Sequence, residues 1–282
     1  DGTLLGAHYE ISDVNKEALQ EVQERGVHVV LVTGRSFAAA RPFALELGLD
    51  EVPLVSHNGA LVKLARSCEL IHCGYLPVEV ALASLEIARD FDVRTSLGDE
   101  PQGLGRVVLE REPTGRLLKF LQKSGTPYLV TPSLQVHLEE LQTRERLPIQ
   151  VTFSGPCRQV DAIENRLQTQ LPGRFRFLKT AYRERDFTVG DLLCVECSKG
   201  TGLSKVVDHL GVEVTQVLAM GDNHNDLDML RYASRAVLMG NADPTLREPG
   251  FFVTGTNLEH GVAQALRRWV LAVVGEAPDR PD

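Results

Sequence analysis

The sequence predicts an α/β protein built on a doubly wound parallel sheet, with a second α/β unit inserted into it. Helical and strand patterns alternate at both ends of the chain, as strands joined by crossover helices require. One run, residues 27–32, is apolar and β-branched almost throughout, which is typical of a strand covered on both faces. The chain has 282 residues, 43% of them hydrophobic, enough for one large domain or two ordinary ones.

The N-terminal part predicts a helix, a strand, a second helix, a second strand and a hairpin. Ser12 is suited to cap the first helix and Gly26 to end it, while Pro42 predicts a kink or a restart in the second. The dipeptide Asn-Gly at 58–59 is a common hairpin turn. The predicted ranges are a helix at 13–25, a strand at 27–32, a helix from about 37, and strands at 53–56 and 60–64.

The C-terminal part repeats this alternation, whereas the stretch between the two parts has a different order of elements. The C-terminal ranges are helices at 201–210, 227–232 and 258–270 and strands at 216–220, 235–239 and 251–254. The intervening ranges are helices at 77–89, 116–123, 133–141 and 157–171 and strands at 106–110, 148–153, 174–179 and 192–196. We therefore expect a core formed by residues 1–75 and 195–282, with an inserted α/β domain at 76–194.

Composition and charge exclude several classes of protein. The hydrophobic content excludes a disordered or collagen-like chain, and five cysteines are too few for a disulfide scaffold. A formal charge of −8 gives no general attraction for nucleic acid or an anionic membrane, so we expect neither as a partner. Without an apolar run of about 18 residues or a leader pattern, the sequence predicts a cytoplasmic protein with reduced thiols.

Three polar segments follow predicted strands, at the edge of the sheet where open α/β folds bind ligands. They are DGT at 1–3, VTGRS at 32–36 and MGDNHND at 220–226. In the last, Asp222, Asn225 and Asp226 share one loop. Their oxygens suit Mg²⁺, but the same residue types commonly cap a helix and fill its first turn. The loop alone leaves these two interpretations open.

Two further segments suit an anion. Thr33 and Gly34 offer a hydroxyl and a backbone N–H at one point, as phosphate sites do, and Arg35 either adds a guanidinium or lies on the surface. Lys199 is predicted at the start of a helix, where a cation opposes the helix dipole unless an anion is bound nearby. GTGLSK does not match the spacing of a nucleoside triphosphate-binding loop, so we exclude that class.

Taken in order, DGTLL, LVTGRS, the lysine of CSKGTGL and MGDNHNDLDML resemble the four motifs of the haloacid dehalogenase superfamily. SHNGALV and TNLEHGVAQAL resemble its Cof-type branch, subfamily IIB. The resemblance spans nearly the whole core. It implies a Rossmann-like core, an α/β cap over the site, and Mg²⁺-dependent hydrolysis of a small phosphorylated metabolite, such as a sugar phosphate, through an aspartyl-phosphate.

The resemblance also implies roles for individual residues. Asp1 matches the second aspartate of the motif D-x-D-G-T, the general acid and base whose backbone carbonyl ligates Mg²⁺, and the nucleophilic aspartate is expected two residues before it. Asp222 would ligate Mg²⁺ directly and Asp226 would support the metal. The residues implied in phosphate or substrate binding are Thr33, Gly34, Arg35, Asn58, Gly59, Lys199 and Asn225.

Two other functions and one other site remain open at this stage. A sugar phosphomutase shares the core, the cap and the aspartyl-phosphate, and returns the phosphoryl group to a sugar. A non-catalytic module that binds a phosphorylated ligand needs only the phosphate-binding residues. Cys194 and Cys197 have metal or redox spacing, but without a partner pair we expect packing instead.

Overall fold

The computed structural model describes residues 1–99 and 101–272, which form two α/β bodies. In chain order the elements are α1 (Asp13–Glu24), α2 (Phe37–Glu46), β1 (Pro53–Ser56), β2 (Leu61–Leu64), β3 (Leu70–Cys73), α3 (Val78–Ala88), β4 (Arg94–Asp99), β5 (Arg106–Leu109), α4 (Gly115–Ser124), β6 (Tyr128–Val130), α5 (Leu134–Thr143), β7 (Gln150–Gly155), α6 (Cys157–Gln170), β8 (Phe175–Tyr182), β9 (Phe187–Cys194), α7 (Lys199–Leu210), β10 (Leu218–Gly221), α8 (Leu227–Tyr232), β11 (Arg235–Leu238), β12 (Phe252–Val253) and α9 (Gly261–Leu266). We call the body made by both ends of the chain the core and the body from α3 to β9 the cap. None of the helices in the described part of the chain combines the length and the apolar character needed to cross a membrane.

The core contains two three-stranded sheets. Strands β1, β2 and β3 are antiparallel, while β10, β11 and β12 are parallel. The predicted strand at 27–32 is wrong as a regular strand, because within the described residues it forms only one parallel bridge, between Val32 and Val55. Two hydrogen bonds of 2.9 Å hold it there, from Thr33 N to Val55 O and from Val55 N to Leu31 O. Its apolar side chains still pack into the core, as the pattern indicated.

The predicted core helices form, and two of them differ from the prediction. Ser12 caps α1 as expected, its hydroxyl accepting from Asn15 N at 3.3 Å. Pro42 does not divide α2, which continues from Phe37 to Glu46. The C-terminal helix predicted at 258–270 is shorter than expected, since α9 passes at Arg267 into a π-helical turn that ends at Leu271. The part of the predicted core beyond residue 272 lies outside the described residues.

The cap is one six-stranded mixed sheet in the order β6-β5-β4-β7-β9-β8. Its predicted helices form, and α3, α5 and α6 pack their apolar residues against the sheet in one cluster that includes Leu138, Phe153 and Ile163. The sequence reasoning missed β4 and β6. The first, RTSLGD, mixes polar residues with a single leucine, and the second has only three residues, so neither carries a clear strand pattern.

The cap is held over the core by polar contacts at several points. Lys63 on β2 is fully buried, and its ammonium donates to the carbonyl of Pro101 at 2.6 Å and to that of Gly103 in the β4–β5 loop. On the other side, Arg176 on β8 pairs with Asp228 on α8 at 2.7 Å. The cap sheet has its helices on one face. Its other face lies over the ends of the core strands, where Thr180 and Asp191 line the same cavity as the core residues.

Candidate active site

The predicted site residues line one continuous cavity of about 1960 Å³, which runs from the cleft between the core and the cap into the core among α1, α7 and β10. Each arrives from the end of an extended segment or the start of a helix: Thr33 follows 27–32, Asn58 follows β1, and Asp222 follows β10. Lys199 enters from the first turn of α7. The site residues lining the cleft are Asp1, Thr33, Gly34, Arg35, Asn58, Lys199, Asp222, Asn225 and Asp226.

The loop after β10 distinguishes the capping residues from Asp222. Asn223 is the cap, and its side chain accepts from His224 N at 2.7 Å. Asp226 reaches back, so that its Oδ2 accepts from the backbone N–H of Asp222 and of Asn223, both at 3.0 Å. Asp222 therefore has no capping task, and its Oδ1 accepts from Thr3 Oγ1 at 2.6 Å instead. Both carboxylates face the cleft, but only Asp226 is committed to the loop.

Lys199 is the first residue of α7, where Ser198 and Thr201 form a reciprocal cap. Its ammonium donates to Asp226 Oδ1 at 2.6 Å and to Asn225 Oδ1 at 3.3 Å, and the residue is only 8% exposed. The partner carboxylate offsets the unfavourable position of a cation at a helix N-terminus. An anion entering the cleft would meet a buried, oriented ammonium.

The hairpin turn after β1 supports the start of α7. His57, Asn58 and Gly59 all have positive φ, of 51°, 53° and 97°. A Cβ on Gly59 would lie 1.8 Å from the carbonyl oxygen of Ser198, so the turn packs against the helix start only with glycine. The predicted Asn58–Gly59 turn is confirmed, and it places Asn58 beside the loop after β10: Asn225 Nδ2 donates to Asn58 Oδ1 at 3.0 Å.

Asp1 and Arg35 form an ion pair at the rim of the cleft. Arg35 Nε donates to Asp1 Oδ1 at 3.0 Å, and the guanidinium lies 5.6 Å from the Tyr9 ring centre and 5.4 Å from that of Phe43. Burial lowers the pKa of Arg35 from its usual value. The guanidinium of Arg35 therefore pairs with the carboxylate of Asp1 and fixes its position at the rim of the cleft.

A second observation brings Asp1 towards Asp222. Gly2 has a φ of 73°, and a Cβ there would lie 2.2 Å from Asp222 Oδ2, so any side chain would displace the carboxylate. Burial raises the pKa of the Asp222 carboxyl, the hydrogen bond from Thr3 lowers it, and the nearby Asp226 raises it further.

These residues fit Mg²⁺ in the chemistry of their donors. The ion is usually held in proteins by one or two carboxylates, with waters and substrate phosphate completing the shell. Asp222 offers a partly desolvated carboxylate, and the close approach of Gly2 brings the backbone next to Asp1 beside it. Residues 1–99 and 101–272 contain no group of three or more His, Cys, Asp or Glu side chains placed to hold an ion.

Sequence reasoning missed a polar chain that joins the site to the cap. His57 Nδ1 donates to Gln150 Oε1 at 3.0 Å, Gln150 Nε2 donates to Thr152 Oγ1 at 3.0 Å, and Thr152 Oγ1 donates to Asp191 Oδ1 at 2.8 Å. Asn58 Nδ2 closes the chain by donating to Asp191 Oδ2 at 3.2 Å. The one signal in the sequence was an acid in the apolar strand FTVGDLLC.

Burial shifts the two titratable groups of this chain in opposite senses. It lowers the pKa of His57 to about 4, with Lys63 acting in the same direction and the Gln150 hydrogen bond against it. It raises the pKa of Asp191 to about 6, against the hydrogen bonds from Thr152 and Asn58. His57 is therefore neutral at pH 7, in agreement with its Nε2 accepting from Phe37 N at 3.4 Å.

The cysteines lie outside this chemistry. All five are free, and Cys197 packs in the apolar cluster below α2, with Cys194 at its edge. Burial raises the pKa of Cys197 to about 12, so its thiol stays protonated, as a packing role requires.

Comparison with known proteins agrees with this geometry. Residues 1–266 match the family model of haloacid dehalogenase-like hydrolases. The chain is 31% identical to the putative phosphatase YxeH of Bacillus subtilis, covering 96% of each chain, and 29% identical to the 5-amino-6-(5-phospho-D-ribitylamino)uracil phosphatase YcsE of the same organism, covering 96% of this chain and 93% of that one.

Solved structures show the same architecture of core and cap. A haloacid dehalogenase-like hydrolase from Bacteroides thetaiotaomicron superposes with a TM-score of 0.78 at 26% identity, covering 95% of this chain and 96% of that one. The subclass IIB sugar phosphatase BT4131 shares the fold, with a TM-score of 0.73 at 21% identity over 96% and 97% of the two chains. The chain therefore belongs to the haloacid dehalogenase-like hydrolases, the family that its four ordered motifs predicted.

Proposed function

We propose that this protein is a Mg²⁺-dependent phosphatase that hydrolyses a small phosphorylated metabolite. The observation that carries the proposal is that Lys199, Thr33–Gly34 and Asp222 are joined by direct contacts. A Cβ on Gly34 would lie 2.8 Å from Asn58 Oδ1, Asn58 accepts from Asn225, and Lys199 donates to Asn225 and to Asp226, which holds the backbone of Asp222. An ammonium, a hydroxyl with a backbone N–H, and a metal-binding carboxylate are what a transferring phosphoryl group needs, because its charge spreads over three oxygens.

Asp1 is the general acid and base of the proposed reaction. It protonates the leaving alcohol oxygen while the phosphoryl group passes to the aspartate that the family motif places two residues ahead. Asp1 then removes a proton from the attacking water, the water oxygen bonds to phosphorus, and inorganic phosphate leaves with the nucleophilic carboxylate restored. The ion pair with Arg35 orients Asp1 in its ionised form, the form that removes the proton from water in the second step.

The remaining site residues bind and orient the phosphate. Lys199 and the Thr33–Gly34 segment contact the phosphoryl oxygens, Asn225 positions Lys199, and the Asn58–Gly59 turn holds both in place. Asp222 would hold Mg²⁺, while Asp226 keeps the loop in shape; the ion would supply positive charge to the phosphoryl oxygens.

The substrate is expected to be small and phosphorylated. Its leaving group is expected to lie on the side of the cleft that the cap forms. YcsE is named for a phosphorylated ribityl compound and BT4131 for sugar phosphates. A sugar phosphate is accordingly the first substrate class to test. A protein of this kind with free cysteines is suited to the reducing cytoplasm.

The test is phosphate release from a panel of phosphomonoesters by the protein carrying the motif's first aspartate, with Mg²⁺ and with EDTA. Release that depends on Mg²⁺ supports the proposal. Isomerised sugar phosphate without free phosphate would identify a mutase, and binding of phosphate esters without turnover would identify a binding module; either result overturns the phosphatase assignment.

The metal role has its own variant and control. Asp222→Asn removes charge from the proposed ligand, so we expect activity to fall and the Mg²⁺ concentration needed for half-activity to rise together. Asp208→Asn changes an exposed aspartate on α7 and serves as the control. An unchanged Mg²⁺ titration in Asp222→Asn would contradict the ligand role.

A further inference from the structure

Asp191 is a carboxylate of the cap that faces the candidate active site and has no part in the proposed chemistry. It lies on β9 and lines the cleft together with Val189 on the same strand and with Thr180 and Tyr182 on β8. Side chains alternate along a strand, so Leu192, fully buried in the cap cluster, lies on the opposite face of the sheet. Asp191 is thus the acidic group of the sheet face that covers the site.

Its side chain is held in one position from two domains. Oδ1 accepts from Thr152 Oγ1 of the cap at 2.8 Å, and Oδ2 accepts from Asn58 Nδ2 of the core at 3.2 Å. Asn58 in turn accepts from Asn225, which accepts from Lys199. The carboxylate therefore has a defined place relative to the ammonium that binds phosphate.

The environment of Asp191 is unusual for a carboxylate that only stabilises the fold. Both of its partners are neutral, and no cationic side chain in the described ranges forms an ion pair with it, although burial disfavours its charged form. The two neutral hydrogen bonds offset only part of the cost of burying the charge, since burial still raises the pKa of Asp191 to about 6. Two carboxylate oxygens accept about four hydrogen bonds, so two sites of acceptance remain for a group in the cleft.

We propose that Asp191 selects the leaving group of the substrate by accepting a hydrogen bond from a hydroxyl on the carbon chain that bears the phosphate. This inference rests on the proposed phosphatase function and narrows its substrate class to phosphate esters of polyols. A hydroxyl is a neutral donor like the two that Asp191 already holds. An ester whose alkyl leaving group has no hydroxyl would leave the Asp191 carboxylate desolvated and without this partner. Such an ester should therefore have a lower kcat/KM.

Glycerol 3-phosphate and propyl phosphate test the inference, since they share a three-carbon chain and differ in two hydroxyls. We expect the wild-type protein to favour glycerol 3-phosphate by about tenfold or more in kcat/KM, as for a hydrogen bond to a charged group. In Asp191→Ala we expect a loss of similar size on glycerol 3-phosphate and a change within about threefold on propyl phosphate.

Two further variants separate selection from a structural role. Asp191→Asn keeps the shape and a neutral acceptor, so it should retain part of the preference for the hydroxylated ester. Asp161→Asn alters an exposed cap aspartate paired with Lys179 and should change neither substrate. Thermal unfolding of each variant reports whether the fold is retained.

The outcomes are distinct. An equal loss on both esters in Asp191→Ala, or no loss on either, overturns the inference while leaving the phosphatase assignment in place. A wild-type protein that hydrolyses no ester in the panel overturns the proposed function and, with it, the role of Asp191. Selective loss on the hydroxylated ester alone supports the inference.

Discussion

The core and the cap each contain a buried carboxylate that accepts several hydrogen bonds, and the two clusters differ in what surrounds them. In the cap, Asp99 is fully buried; it accepts from Arg106 Nε at 2.7 Å and Nη2 at 3.0 Å, and from His137 Nε2 at 2.8 Å. In the core, Asp226 accepts from Lys199 and from two backbone N–H groups. Only the core cluster borders the cleft.

The comparison shows that burial and charge pairing alone do not identify an active site. The cap cluster joins β4, β5 and α5, as structural ion pairs do, and its residues do not line the cleft. The core cluster lies where β10 ends and α7 begins, so its ammonium faces a space that an anion can enter. Three predictions test this division, the first on the cap and the others on the core.

Asp99→Ala should lower the free energy of unfolding by about 3–5 kcal/mol, because it leaves Arg106 and His137 without their shared carboxylate inside the cap. Urea unfolding measures the change. Asp90→Ala, which removes an exposed partner of Arg166, is the control and should cost less than about 1 kcal/mol. If Asp99→Ala lowered the free energy of unfolding as little as Asp90→Ala does, the cap cluster would not have a structural role.

Lys199→Ala should raise the barrier to phosphate release by about 2–4 kcal/mol, the effect of removing a group that stabilises developing negative charge. Lys205→Ala, at an exposed position on the same helix, is the control. Initial rates at saturating and at limiting concentrations of one phosphomonoester give kcat and kcat/KM for each variant. A decrease of less than about threefold would assign Lys199 to the structure of the loop and contradict its role in catalysis.

His57 should make the protein less stable in acid. Its folded-state pKa of about 4 lies below the ordinary value of 6.5, so the unfolded chain binds the proton first, and stability falls as the pH drops from 6.5 towards 4. From pH 7 to pH 5 this histidine should account for about 2 kcal/mol.

The substitution His57→Asn isolates this contribution, since asparagine tolerates the positive φ of the turn. Urea unfolding at pH 7 and pH 5 should show a smaller acid loss in the variant than in the wild type. Equal losses in the two proteins would mean that His57 is accessible to protons in the folded state, unlike a buried neutral group.

The sequence predicted most elements of both bodies, because helix caps, apolar periodicity and turn dipeptides act over a few residues. Ser12 and the Asn58–Gly59 turn are such signals, and α1 and the hairpin follow them. The strand expected at 27–32 failed for a different reason: its apolar pattern reports burial on both faces, whereas strand pairing depends on which segments lie alongside it.

The site divides in the same way. Asp222, Asn225 and Lys199 were identified from local motifs at the ends of elements. Gln150 and Asp191 were not, because their contacts with His57 and Asn58 span 93 and 133 positions in the chain and cross between the two bodies. Arg35 was identified, but not that it would pair with Asp1.

The sequence by itself determined the family, most of the helices and strands, and the residues that gather at the strand ends, since each depends on short-range pattern or on an ordered set of motifs. The tertiary structure decided that Asp222 contacts Thr3, that Lys199 pairs with Asp226, and which face of the cap covers the cleft. These depend on distances between residues far apart in the chain, where a hydrogen bond forms or fails within a few tenths of an ångström.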